Sequence, residues 1–173
     1  FGYRFDVDGA RRQLLGLVAP RQPTRLRVTV QRDGHVTCEA GALDASVEPV
    51  RLALDRGQCF ASDDVFCAHK TTYRAHYERA RARHRNADDV ILLNERGELT
   101  ETTIANLALR LEGTWFTPAR HCGGLPGIGR QVMLERGHLR ERVLYPSDLE
   151  HAQALAVVND LRGWRSATLL NAR

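Results

Sequence analysis

Lys70 is the only lysine among 25 basic residues; every other one is arginine. A guanidinium stays protonated and cannot form an imine, whereas a primary amine can lose its proton and attack a carbonyl. Lys70 falls between His69 and Thr71, where a short apolar segment gives way to a helical pattern. A lysine at such a junction is expected to be partly desolvated, which makes the free amine more available. The competing reading is a lone surface lysine in a chain whose coding bias writes arginine elsewhere. Glu101 stands in L-T-E-T-T-I-A-N, just after a hairpin signal. It reads either as a turn, cap or ladder acid, or as a carboxylate held against a heterocyclic nitrogen to keep that nitrogen protonated. Asn106, five residues on, could orient the acid or close the turn. G-G-L-P-G-I-G-R, residues 123–130, runs from a glycine-rich loop into a helix. Backbone N–H groups at such a helix start can cradle a phosphate, and glycine allows close approach; otherwise it is an ordinary loop. It is not a Walker A, because G-K-[ST] is missing.

The elements that must position these residues follow from local pattern. Asp6 or Asp8 caps a helix over about 9–19, with Leu14, Leu15 and Val18 on one face and Pro20 ending it. R-L-R-V-T-V-Q alternates Leu26, Val28 and Val30 against Arg25, Arg27 and Thr29. With the Arg32-Asp33-Gly34 turn and H-V-T-C-E-A-G, it makes a hairpin. G-A-L-D-A-S-V-E-P is the linker. Beyond it, P-V-R-L-A-L and V-F-C-A-H read as extended, and residues 71–85 as a helix with Tyr73, Tyr77, Ala80 and His84 on one face. D-V-I-L-L-N is a strand, and L-T-E-T-T-I-A-N-L-A-L-R-L-E-G with T-W-F-T-P-A is one β segment broken at Gly113. A helix over about 128–137, a strand in R-E-R-V-L-Y-P, a short helix from Ser147 and strands in V-V-N-D-L-R-G-W and S-A-T-L-L close the chain. The expected class is α+β, with residues 1–43 as a small α/β part, 44–48 as linker and 49–173 as the larger domain.

With 43% hydrophobic and 27% charged residues, disorder is excluded, and no apolar run reaches the length of a membrane span. A cytoplasmic protein with no membrane partner is expected. The net charge of +4 and the run Arg79, Arg81, Arg83 and Arg85 raise a basic binding module as a rival. Glu78, Asp88 and Asp89 dilute that patch and no aromatic platform interleaves with it, so no nucleic-acid partner is expected. Cys38, Cys59, Cys67 and Cys122 have neither zinc-ligand nor C-x-x-C spacing, and no metal is expected. The chain opens at Phe1 in mid-domain style and its single methionine is Met133, so it is expected to be a fragment of a longer polypeptide. An inactive fragment is therefore a further reading.

A lone lysine, an acid after a hairpin and a phosphate-cradling helix start are the parts a pyridoxal phosphate site requires. In their order and context, H-K-T-T-Y-R, N-E-R-G-E-L-T-E-T-T-I-A-N-L and L-P-G-I-G-R resemble the fold-type IV pyridoxal phosphate enzymes over nearly the whole chain. That family includes branched-chain and D-amino acid aminotransferases and 4-amino-4-deoxychorismate lyase. The resemblance implies a partial small N-terminal α/β domain before a larger mixed α/β barrel-like domain, pyridoxal 5'-phosphate as cofactor, and a homodimer. It makes Lys70 the Schiff-base lysine and general base, and Glu101 the partner of the pyridine nitrogen. Asn106 matches the family's turn asparagine. Ile128 and Gly129 would give N–H groups to the phosphate, although many relatives carry threonine where Gly129 stands. The family's upstream phosphate-binding arginine is expected to lie outside this chain. V-V-N-D-L-R-G-W-R replaces the G-T-A or S-T-T segment of the aminotransferases and looks like the lyase, particularly the lyase part fused behind an aminodeoxychorismate synthase subunit. Asn159 is then a cofactor-side candidate and Arg162 a candidate for a substrate carboxylate; a strand-end turn and a solvated charge are their alternatives. The expected reaction converts 4-amino-4-deoxychorismate to 4-aminobenzoate and pyruvate, with an aminotransferase as the rival.

Overall fold

The computed structural model describes residues 2–17, 23–57 and 60–170, so the expectations that involve Val18, Pro20 and Cys59 lie outside the described residues. The chain divides into two compact units, Phe1–Ser46 and Val47–Arg173. In the first, helix α1 (Val7–Leu17) accompanies a hairpin of β1 (Thr24–Val30) and β2 (Val36–Ala42). Of the two candidate caps it is Asp6 that serves, its Oδ1 accepting from Gly9 N–H at 2.9 Å. The strands pair antiparallel with Val28 opposite Cys38. Gly34 turns the corner at φ +91°, and a side chain there would collide with the Arg4 carbonyl. The alternation of β1 is imperfect: Leu26 and Val30 are half-buried, but Val28 is exposed.

The second unit is built on an eight-stranded mixed sheet in the order β5-β4-β3-β10-β9-β6-β7-β8. Its strands are β3 (Val50–Leu54), β4 (Asp89–Leu93), β5 (Leu99–Thr102), β6 (Asn106–Leu111), β7 (Thr114–Pro118), β8 (Arg140–Arg142), β9 (Ala154–Asn159) and β10 (Gly163–Leu169). Three helices join them: α2 (Ala75–Arg83), α3 (Ile128–Glu135) and α4 (Pro146–His151). The sheet curls into a half-barrel. Edge strand β5 closes on the segment after β8 through Leu99 N–H to the Leu144 carbonyl, 2.7 Å.

Period-2 alternation sorts the side chains between two faces. Ile91 and Leu93 join Leu52, Leu107, Leu109 and Val157 in the inner core. Val90 and Leu92, on the opposite face of β4, pack beneath Tyr77 and Ala80 of α2. Ala108 and Ala156 do the same beneath α3, where Met133 and Leu134 meet Trp115 and Trp164. α2 thus sits on aliphatic residues of the outer sheet face and α3 on small ones.

Two local expectations need correction. V-F-C-A-H is not extended: Val65–Cys67 is a 3-10 turn, because Asp64 Oδ1 accepts the Phe66 N–H at 2.9 Å and no strand lies alongside. The segment after Leu99 is not one strand up to Gly113. It breaks between Thr102 and Asn106, where the Thr102 hydroxyl donates to the Ala105 carbonyl at 2.8 Å and accepts its N–H at 3.0 Å. That turn separates β5 from β6 and sets Glu101 and Asn106 on either side of it. Among the described residues, no helix is long and apolar enough to cross a membrane.

Candidate active site

Glu101 is the centre of the candidate site. It lies on β5, 3% exposed, with both carboxyl oxygens engaged. Tyr77 donates its hydroxyl to Oε1 at 2.6 Å, and the Leu125 N–H donates to Oε2 at 3.1 Å. Gly124, at φ +103°, lies flat against the acid; a Cβ there would stand 3.4 Å from Glu101 Cβ and Cγ. Burial pushes the carboxyl up to about 7, against the pull of the Tyr77 hydroxyl, the Leu125 N–H and the positive charges of Lys70 and Arg74. Tyr77 is pushed up in turn, by burial first and then by the Glu101 charge, so its phenol remains a protonated donor.

Lys70 follows the 3-10 turn on the short stretch that leads into α2, close enough for its charge to favour ionised Glu101. The expected strand-to-helix junction is a turn-to-helix junction, and the expected desolvation is not found: Lys70 is exposed. The turn itself is anchored by Cys67, 5% exposed, whose thiol is raised by burial and faces the Gly124 backbone and Glu101.

The loop that gives Glu101 its N–H also enters α3. Asn106 at the start of β6 donates from Nδ2 to the Leu125 carbonyl at 2.9 Å, and a side chain at Gly127 would collide with its Oδ1. Asn106 therefore tethers the loop. The first N–H groups of α3, those of Ile128 and Gly129, have no carbonyl to bond within the helix. The Ile128 side chain is exposed, so only its backbone could serve an anion. Gly129 allows a close approach: a Cβ there would stand 3.0 Å from the Asn159 carbonyl carbon and 3.2 Å from the Asp160 nitrogen, a tight contact. Buried Arg130 fixes this helix end from below, donating to the Pro118 carbonyl at 2.9 Å and pairing with Glu141.

Asn159 and Arg162 belong to the β9–β10 turn. Asn159 Oδ1 accepts the Arg162 N–H at 2.8 Å, while Nδ2 reaches the Ile104 carbonyl at 3.3 Å, so this amide binds the turn to the β5–β6 turn beside it. Arg162 is half-buried.

The sequence groups Tyr77 with Tyr73, Ala80 and His84 on one helix face and assigns it no role in the site; the helix is in fact shorter, Ala75–Arg83, so Tyr73 lies before it, exposed, and His84 caps its end. The available signal was that a buried tyrosine hydroxyl needs a partner. Thr103 was also missed as a hub. Its N–H and hydroxyl both bond buried Asp89 Oδ1, at 3.0 and 2.5 Å, and its carbonyl accepts from Arg74 at 2.6 Å. The helix arginines are used here too: Arg81 donates to Thr103 Oγ1 at 3.3 Å, and Arg83 pairs with Asp55.

The family model described as amino-transferase class IV matches residues 4–170. A "putative aminodeoxychorismate lyase" of Schizosaccharomyces pombe is 31% identical over 146 residues, covering 80% of this chain and 63% of that protein. The chain thus spans less than two thirds of this curated relative. The solved structure of a "putative amino-acid aminotransferase" from Mesorhizobium loti is 33% identical, with a TM-score of 0.88 over 98% of this chain and 84% of that one. That of 4-amino-4-deoxychorismate lyase from Pseudomonas aeruginosa shares the fold, with a TM-score of 0.77 at 22% identity over 98% of this chain and 72% of that one. This chain belongs to the amino-transferase class IV family, the fold-type IV group of pyridoxal phosphate enzymes.

Proposed function

We propose that this chain acts as a pyridoxal phosphate-dependent lyase that converts 4-amino-4-deoxychorismate to 4-aminobenzoate and pyruvate, working as a homodimer in the cytoplasm. The observation that carries the reading is the joining of Glu101, through the Leu125 N–H, to the loop that opens α3, with the chain's single lysine beside the same acid. The residues fit the cofactor. Lys70 supplies the primary amine, Glu101 an acceptor for a ring N–H, and Ile128 and Gly129 backbone donors for a phosphate, while Gly124 keeps side-chain bulk off the acid. Pyridoxal phosphate, when bound, supplies the electron sink for chemistry at the amine-bearing carbon.

The chain's own residues do the rest. The Lys70 amine takes the proton from the amine-bearing ring carbon of the substrate as general base. Glu101 would accept the ring nitrogen's N–H, and the α3 N–H groups would hold the phosphate. The enolpyruvyl C–O bond breaks as the ring becomes aromatic, giving 4-aminobenzoate, and the leaving group takes up one proton at its methylene carbon, matching the one lost from the ring, to become pyruvate. Asn159 braces the β9–β10 turn, and on this reading that turn would face cofactor and substrate, with Arg162 suited to a carboxylate. Support for the lyase over transfer comes from that turn segment and from the curated relative's name.

The second reading is an aminotransferase, favoured by the 33% identity to the Mesorhizobium loti protein. One assay separates them. Incubation with pyridoxal phosphate and 4-amino-4-deoxychorismate is expected to give pyruvate and 4-aminobenzoate. Glutamate from an amino acid and 2-oxoglutarate, without pyruvate from the first substrate, would replace the lyase by transfer. Failure of both assays would leave the inactive-fragment reading.

A further inference from the structure

Glu101 must present an ionised acceptor to a ring nitrogen, yet it is buried on β5 and its carboxyl is pushed up to about 7. Something in the chain has to hold it ready, and the hydrogen bonds identify what that is. Tyr77 is 5% exposed and places its hydroxyl 2.6 Å from Oε1. Its ring does not depend on Glu101 for its position. One face lies 4.5 Å from the Arg74 guanidinium, and Arg74 is itself bound to the Thr103 carbonyl, two residues beyond Glu101. Helix α2 is clamped at its other end, where Arg83 and His84 both meet buried Asp55, His84 Nε2 at 3.2 Å. Ala80, Val90 and Leu92 pack around the ring between these clamps. The phenol is therefore a donor fixed in advance by its own helix.

We infer that Tyr77 is the positioning residue of this site: its phenol, presented by the doubly clamped helix α2, orients Glu101 and holds it as an ionised acceptor for the ring nitrogen of the cofactor. The inference rests on the pyridoxal phosphate reading above and adds to it a residue outside the three motifs. The charged and titratable groups that face Glu101 are few. Tyr77 and Arg74 face it from the α2 end, Lys70 from the stretch before that helix, and Cys67 from the 3-10 turn, while His76 lies against the Tyr77 ring itself, centroids 3.8 Å apart. Of these, only Tyr77 donates a hydrogen bond to it; the other donor is the Leu125 N–H. A hydrogen bond given to a carboxylate favours its charged form, so removing the phenol must favour the protonated acid.

The test is a pH titration of the Glu101 carboxyl in the cofactor-free full chain, followed by carbon-13 NMR with Glu101→Gln identifying the signal, in wild type and in Tyr77→Phe. Loss of one hydrogen bond to a charged group should raise the midpoint by roughly one to two pH units. The acid limb of cofactor binding should move up by the same amount. Fluorinated tyrosine at position 77, a more acidic donor of the same shape, should lower the midpoint. This second replacement keeps the test open if the phenylalanine variant fails to fold. A midpoint that stays in place in a folded variant overturns the inference and leaves Tyr77 a core residue, whatever the cofactor does. If wild-type chain shows no visible absorbance band with pyridoxal phosphate that disappears in Lys70→Ala, the cofactor reading falls and the inference with it. The two failures are read from different samples.

Discussion

The two ends of the candidate site are built on opposite plans. At the acid end, side chains do the work in a closed setting. Glu101 is buried, its oxygens are assigned to named donors, and each donor is held in turn, Tyr77 through Arg74, Thr103 and Asp55 and the Leu125 segment through Asn106. At the helix end, the backbone does the work in an open setting. The N–H groups of Ile128 and Gly129 have no carbonyl to bond within the helix, the side chain of Ile128 is exposed, and Gly129 has none. A proton-holding group needs a tuned environment, which only particular side chains can supply. An anion cradle needs only N–H groups at the right spacing, which any helix start supplies once glycine lets it come close to its neighbours.

Four substitutions probe this difference, from large effect to small. Lys70→Ala removes the amine that both ends serve, and pyruvate release should fall by roughly 10² to 10⁴-fold, in the range of a lost general base; a variant within tenfold of wild type would remove Lys70 from the chemistry. Gly129→Thr adds a hydroxyl beside the helix start, but its Cβ would press on the Asn159 backbone at 3.0 Å. Overpacking of this kind costs about 1–3 kcal/mol. It should show as a lower Tm and a weaker pyridoxal phosphate Kd, with the Glu101 titration unmoved. An altered Glu101 midpoint would mean that the two ends are coupled.

Glu101→Gln tests the acid end through stability. The folded chain holds the Glu101 proton up to about 7, against an ordinary 4.5 for an unfolded glutamate. The stabilisation from that proton is therefore full below about 4.5 and is lost as pH rises through about 7. Cofactor-free wild type should lose stability across that window, with a slope of at most about 1.4 kcal/mol per pH unit. In denaturant titrations the glutamine variant should lack this component, and an identical slope would exclude Glu101 as its source. Ile128→Ala keeps the N–H and trims only an exposed side chain. Cofactor Kd should change by less than about threefold, in the range of minor surface substitutions. A larger loss would show that the helix end is not a backbone device.

The same contrast explains what was legible in the sequence. Glycine, a lone lysine and a carboxylate between hydroxyl residues are marks of residue type, so Lys70, Glu101 and the 123–130 loop could be picked out one residue at a time. Strands β4 and β6 were legible because both their faces are largely buried and most of their residues are apolar. The acid's supports were not legible, because Tyr77, Arg74 and Leu125 meet Glu101 only once α2 has packed across β4 and the loop has folded back. V-F-C-A-H misled because its apolar run carries no sign that Asp64 will cap it into a 3-10 turn. The break after Thr102 was hidden for a similar reason: a hydroxyl closing a turn looks, in sequence, like another β-branched strand residue.

The edge-to-face pair of Trp115 and Trp164, centroids 4.8 Å apart, packs beneath Met133 and Leu134 of α3. These are the chain's two tryptophans. Its tryptophan fluorescence therefore arises wholly at the seat of the helix whose first turn forms the proposed anion cradle. Emission under tryptophan-selective excitation would follow the settling of that helix as phosphate or cofactor is added, with no label introduced. The acid end, with a tyrosine as its aromatic group, would stay dark in the same experiment.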